Sequence, residues 1–223
     1  MAYDVRFKTS FNCIVNGASG SGKTTFVRNL ILLKNELMDK PPRKVFFYYN
    51  ILQDIYRTMA NDGLVELINV AERFPTYEDI ITKVHPYKDK GGCLLVFDDM
   101  MTQLTPDFEK IFCNVSHHEN ASVVLLTQNL FYNTKVFRTV SLNAHYIILM
   151  KSGRDLQQVS ILSRAVAGAH GKHIVEAYRD ATKKPYSYLI LDFRPDCPPV
   201  LRARSNIFPH EYPPAVYLET SVK

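Results

Sequence analysis

The chain has 223 residues, 46% of them hydrophobic, with 27 Lys and Arg against 22 Asp and Glu, giving a formal charge of +5. That length suits one sizeable domain with a full core, and the composition excludes a disordered chain or a fibre. The apolar runs are strand-sized and no apolar leader precedes Phe11, so neither a membrane span nor a secretory signal is expected, and the cytosol or nucleus is.

Asn12 to Asn16 reads as a buried strand. It runs into Gly17-Ala18-Ser19-Gly20-Ser21-Gly22-Lys23-Thr24, then Thr25 and an apolar helical segment from Phe26 to Leu33. Glycines at this spacing let successive backbone N–H groups turn inward around phosphate oxygens, and a helix N-terminus adds the positive end of its dipole. Lys23 would reach the β and γ phosphates and Thr24 would ligate Mg2+, so residues 17–25 form a cradle for ATP or GTP.

Val45 to Tyr49 is the next predicted strand, its aromatics Phe46, Phe47, Tyr48 and Tyr49 suited to core packing. A helix is expected to begin at Thr76, with Asp79 completing a capping box before Ile80, Ile81 and Val84. Lys83 to Gly92 reads as a solvated turn, with a DNA-facing loop as the other reading. Cys93 to Phe97 is a solidly apolar strand that ends in Asp98-Asp99, roughly seventy residues after the cradle. A nucleotide hydrolase places its metal acid and its base at such a strand end. Asp98 would hold Mg2+ through its water shell and Asp99 would polarise the attacking water, although an Asp-Asp pair also closes an ordinary strand-end turn.

Thr105 to Val115 predicts a helix capped by Thr105, with Pro106 in its first turn and Phe108, Ile111, Phe112 and Val115 along one stripe. His117 and His118 follow Cys113 by about one turn, but no second ligand pair stands at zinc spacing, so a helix end or a contact surface is expected there. Ser122 to Thr127 is a further strand. Placed beside the first, its C-terminal end would bring Gln128 to the γ-phosphate. A strand inserted between the cradle and the carboxylates is typical of P-loop proteins that hydrolyse nucleotide and do mechanical work.

Strands are also expected at Tyr146 to Met150 and Tyr186 to Asp192, and His170 and His173 fall in or beside a Gly-rich turn. The four cysteines, Cys13, Cys93, Cys113 and Cys197, form no C-x2-C pair and read as reduced. Alternating strands and helices predict an α/β fold with a mostly parallel sheet flanked by helices. The core is expected over residues 1–194. From Pro195 the pattern gives way to a proline-rich tail, residues 195–223, expected to lie extended on the core or on a neighbouring subunit.

The run from Ser116 to Phe131 resembles the genome-packaging ATPases of polinton (Maverick) elements and adintovirus-like viruses. So do Arg138, Ser141 to Tyr146, Lys151 to Asp155, Glu176 to Tyr178, Asp180 to Thr182, Pro185-Tyr186 and Asn206 to Pro209. The resemblance covers about residues 8–210 and joins the chain to the FtsK/HerA P-loop superfamily, with similarity to the poxvirus packaging ATPase. It implies a RecA-like core, ATP and Mg2+ as ligands, and a ring oligomer, pentamer or hexamer. The implied partners are double-stranded DNA and a viral capsid or portal-like vertex, and the implied setting is the host nucleus or cytoplasm at sites of virion assembly. It also implies an arginine supplied by the neighbouring subunit. The poxvirus-type Gly-Arg-His is replaced here by Val115-Ser116-His117, which leaves Arg154 and Arg138 as candidates, with Arg154 preferred. Two other readings share the cradle: a monomeric P-loop phosphotransferase or nucleotide switch, and a catalytically silent capsid-associated scaffold.

Overall fold

A computed structural model describes residues 3–100, 104–131, 135–153, 156–167, 171–211 and 213–219. In chain order the elements are β1 (Asn12–Asn16), α1 (Lys23–Leu32), α2 (Lys34–Leu37), β2 (Lys44–Tyr49), α3 (Asp54–Asn61) and β3 (Glu66–Asn69). There follow α4 (Tyr77–Val84), β4 (Cys93–Asp98), α5 (Pro106–His118), β5 (Ala121–Thr127), α6 (Lys135–Leu142) and β6 (Tyr146–Met150). The chain closes with α7 (Leu156–Ala167), α8 (Lys172–Ala181), β7 (Tyr188–Asp192), β8 (Ala203–Ser205) and β9 (Ala215–Val216).

Among the described residues the strands form a single sheet in the order β3-β2-β4-β5-β1-β6-β7-β8-β9. Pairing is parallel from β3 through β6 and antiparallel from β6 to β9. This is the expected α/β architecture, and β5 lies between β1 and β4.

Alternate strand residues feed two separate cores because side chains switch face at every position. In β4, Leu95 and Phe97 join Ile14, Phe46, Val123, Leu125 and the stripe of α5 on one face. Leu94 and Val96 join Val15, Phe47, Val124, Leu126 and α1 on the other. Burial on both faces is why these strands read as continuous apolar runs instead of alternating ones.

The two predicted helix starts are built as the sequence suggests. Thr76 Oγ1 accepts from the Asp79 N–H and the Asp79 carboxylate accepts from the Thr76 N–H, closing the capping box. Thr105 Oγ1 accepts from the Phe108 N–H, with Pro106 opening α5. Lys83 belongs to α4 and pairs with Glu66 on β3 at 2.9 Å, instead of lying in a loop.

The segment after Pro195 packs on the core, one of the two placements expected, but as part of the sheet and not as an extended tail. It supplies β8 and β9 to the sheet and buries Cys197, Leu201, Ile207 and Phe208. Arg204 on β8 is fully enclosed. It meets Asp192 of β7 at 3.1 Å, and Arg194 meets the other carboxylate oxygen at 3.0 Å. A buried charge requires such partners, and these fasten the late segment to the sheet. The predicted strand at Tyr186 also begins later, at Tyr188, because Tyr186 takes a left-handed backbone with φ of 61°.

Candidate active site

β1, β4 and β5 end side by side, so the residues following each are brought to one rim of the sheet. Asn16 pairs with Thr127, and the Gly17 N–H continues the ladder to the Thr127 carbonyl at 3.1 Å. The loop then turns tightly enough that a Cβ on Gly17 would stand 2.6 Å from Ser21 Oγ and 2.7 Å from Met150 Cβ. Gly22, at φ of 95°, is the N-cap of α1, a conformation that glycine alone adopts without strain. The first turn of α1 carries no acidic residue, so the positive end of the helix is not neutralised within it.

A cleft of about 660 Å³ opens above this loop. Ser19, Gly20, Gly22, Lys23, Thr24 and Thr25 line it from the cradle, Asp98 and Asp99 from the end of β4 and just beyond it, and Gln128 from just after β5. Gly17, Ala18 and Ser21 belong to the same loop but do not line the cleft. The Lys23 ammonium donates to the Gly17 and Ala18 carbonyls at 2.7 and 3.0 Å, and Ser21 is buried. The sequence-remote halves of the site therefore meet.

Their closest contact is between Thr24 and Asp98. The Thr24 hydroxyl donates to Asp98 Oδ2 at 2.8 Å, and the same oxygen accepts from the Tyr56 hydroxyl at 2.9 Å. Tyr56 is buried on α3 and belongs to no recognisable motif. Burial pushes the Asp98 carboxyl above its ordinary value, against the opposing effect of the two hydroxyls and the Lys23 ammonium. A cation placed beside it would offset the same desolvation. Asp99, one residue on, is exposed and left-handed at φ of 60°, and the Asn50 side chain donates to its carbonyl at 3.1 Å. Such backbone strain, about 1–3 kcal/mol, persists where neighbours fix the chain.

The donor set suits Mg2+. Thr24 and Asp98 offer only oxygen, and among the described residues no three His, Cys, Asp or Glu side chains cluster into a metal cage. Mg2+ keeps several waters and takes one or two protein ligands plus phosphate oxygens, so a hydroxyl and one carboxylate at a phosphate loop fit it.

Of the two arginine candidates, Arg138 is exposed on α6 and does not line the cleft of its own chain; Arg154 falls outside the described residues. His117 and His118 end α5, exposed, with the His117 ring 6.1 Å from that of His145. Residues that the motifs did not reveal also reach the cleft: Gln53 and Ile55 at the start of α3, Tyr186 and Tyr188 just before and at the start of β7, and Phe208, His210 and Glu211 from the late segment.

Fold and cleft together define a P-loop NTPase architecture. The sequence matches the poxvirus A32 protein family over residues 1–192, and the chain belongs to that family of viral genome-packaging ATPases. No curated protein matches the sequence. Among solved structures, the fold is similar to the DNA-packaging ATPase B204 of Sulfolobus turreted icosahedral virus, with TM-score 0.57, 13% identity and coverage of 96% of this chain and 100% of that one. The genome packaging NTPase B204 of Sulfolobus turreted icosahedral virus 2 in complex with sulfate gives TM-score 0.56 at 14% identity, covering 94% and 97%. The same protein in complex with ATP-gammaS gives 0.52 at 14% identity, covering 94% and 98%.

Proposed function

We propose that this protein is an ATP-hydrolysing motor that works as a homo-oligomeric ring and drives double-stranded viral DNA into a capsid. The observation that carries the reading is the meeting of Lys23, the Thr24–Asp98 pair, Asp99 and Gln128 in one cleft at the strand ends. Family membership supports the packaging role, and the resemblance of Ser116 to Phe131 supports a polinton or adintovirus-like origin.

In this reading the backbone N–H groups of residues 17–25 and the start of α1 bind the triphosphate. Lys23 exchanges its two carbonyl partners for the β and γ phosphate oxygens. Thr24 and Asp98 would hold Mg2+, which when bound supplies positive charge to the phosphate oxygens. Asp99 accepts a proton from the attacking water, and Gln128 orients that water or senses the γ-phosphate. A neighbour's Arg154 or Arg138 completes the site, a contribution worth about a thousandfold or more in rate. Loop movements linked to hydrolysis then pull on the phosphate backbone, which makes DNA contact blind to sequence and sensitive to salt.

The test is to size the purified protein with ATP and duplex DNA and to measure phosphate release with and without the duplex. A ring whose turnover rises with DNA and vanishes in Lys23→Ala is expected. A monomer whose turnover ignores DNA would point instead to a phosphotransferase or nucleotide switch, and an intact oligomer without turnover to a scaffold.

A further inference from the structure

The cleft does not stop at the phosphate loop. Part of its wall comes from the turn before β7 and from the segment after β8, and it is aromatic. Two supporting rings are buried: Tyr188 and Phe208 pack on Phe26 of α1 with centroids 4.7 and 5.2 Å away. The start of β7 and the segment after β8, which carry them, are fastened together by hydrogen bonds. The Tyr188 hydroxyl donates to Glu211 Oε2 at 2.5 Å and accepts from the Ile207 N–H at 3.0 Å, and Glu211 Oε2 also accepts from the Phe208 N–H at 3.3 Å.

Two further rings are exposed beside these buried ones. His210 stacks on Phe208, nearly parallel at 4° with centroids 5.8 Å apart. Tyr186 is 69% exposed, and its ring lies close enough to the phosphate loop that a Cβ on Gly22 would stand 3.2 Å from Cδ1. Tyr186 also holds φ at 61°, which costs a non-glycine residue about 1–3 kcal/mol. Core packing does not compensate that cost, because most of the ring faces solvent. A strained, exposed aromatic beside a triphosphate cradle is suited to contact with a ligand.

We infer that Tyr186 and His210 form the nucleobase subsite of the cleft, taking the planar base of a nucleoside triphosphate by stacking. The inference rests on the nucleotide-binding reading above and adds to it the residues that grip the base. Stacking tolerates any base, so the subsite contributes affinity and orientation through the faces of the rings. Glu211 is already engaged by Tyr188 and by the Phe208 N–H, so it holds the wall and does not read the base.

Calorimetric titration of the full chain, with Mg2+ present, separates this subsite from the cradle. The probes are a non-hydrolysable ATP analogue and inorganic tripolyphosphate, which has no base. Tyr186→Ala is expected to weaken the ATP analogue about 10- to 100-fold and to leave tripolyphosphate binding unchanged. Tyr186→Phe, which keeps the ring, retains the affinity, and His210→Ala shows a loss of the same selective kind. Both positions are exposed, and thermal melts verify that the variants fold. The subsite is overturned if Tyr186→Ala binds the ATP analogue as the unmodified chain does, or if it loses both probes equally. Binding of neither probe by the unmodified chain would remove the nucleotide reading itself, and the subsite with it.

Discussion

Asp98 illustrates how a residue identified by motif acquires its setting from residues without one. The apolar run ending in Asp98-Asp99 marked it in the sequence, and Thr24 was its expected companion. Tyr56, whose hydroxyl shares Asp98 Oδ2 with Thr24, lies in a short helix with no signature, so only the folded chain brings it into view. Tyr186 was legible as the start of a strand and as part of the resemblance, but not as a cleft residue, because sequence pattern does not report a left-handed tyrosine. Asp99 is the residue whose proposed role is most directly tested by substitution. Asp99→Asn keeps the size and the hydrogen-bonding capacity of the side chain but removes the base. Turnover is expected to fall about 10²- to 10⁴-fold while the affinity for an ATP analogue stays the same. Phosphate-release kinetics and nucleotide titration on the same sample check this, and unchanged turnover would remove Asp99 from the chemistry.

The six predicted strands are all present, with ends shifted by two residues or fewer, because burial on both faces gives an apolar run that needs no partner to be recognised. The strands that were not anticipated are β3, β8 and β9. β3 is a partly exposed edge strand of four residues with Glu66 and Asn69 at its ends. β8 and β9 have three and two residues in a proline-rich stretch. β8 is held by long-range charge pairing of Arg204 with Asp192, which no local pattern encodes. Burial alone would push the Asp192 carboxyl up, but the Arg194 and Arg204 guanidiniums outweigh it and hold the carboxyl below its ordinary value. A carboxyl depressed in the folded state stabilises the fold above its unfolded value, near pH 4, and that contribution is lost as pH falls through the folded value. Asp192→Asn should therefore flatten the acid limb of the stability curve below about pH 4. At pH 7 it leaves two enclosed guanidiniums without their carboxylate and should cost about 3 kcal/mol, or about 6–12 °C in Tm. Thermal melts between pH 3 and pH 7 check both; equal acid sensitivity in the two proteins would show that the pair does not fasten the late segment.

At the scale of the molecule, the order of the strands decides whether the motifs can work together. The sequence supplies a phosphate loop after β1, carboxylates after β4 and Gln128 after β5, but not which strands are neighbours. Long crossovers can arrange them in more than one way. The observed order, β4-β5-β1, brings all three ends to one rim and opens a single cleft above them. The late segment then closes one side of that cleft with the aromatic wall, so the region that looked peripheral in sequence borders the site. The central claim is that one Mg2+–triphosphate lies between the lysine-bearing loop and the paired aspartates. A crystal soaked with Mn2+ in place of Mg2+, together with a non-hydrolysable ATP analogue, tests it by anomalous diffraction. The account predicts one metal peak about 2.1 Å from the Thr24 hydroxyl, with Asp98 beside it and the phosphates wrapped by residues 17–25. A triphosphate bound elsewhere, or a metal bound to the nucleotide with neither Thr24 nor Asp98 near it, would contradict the account.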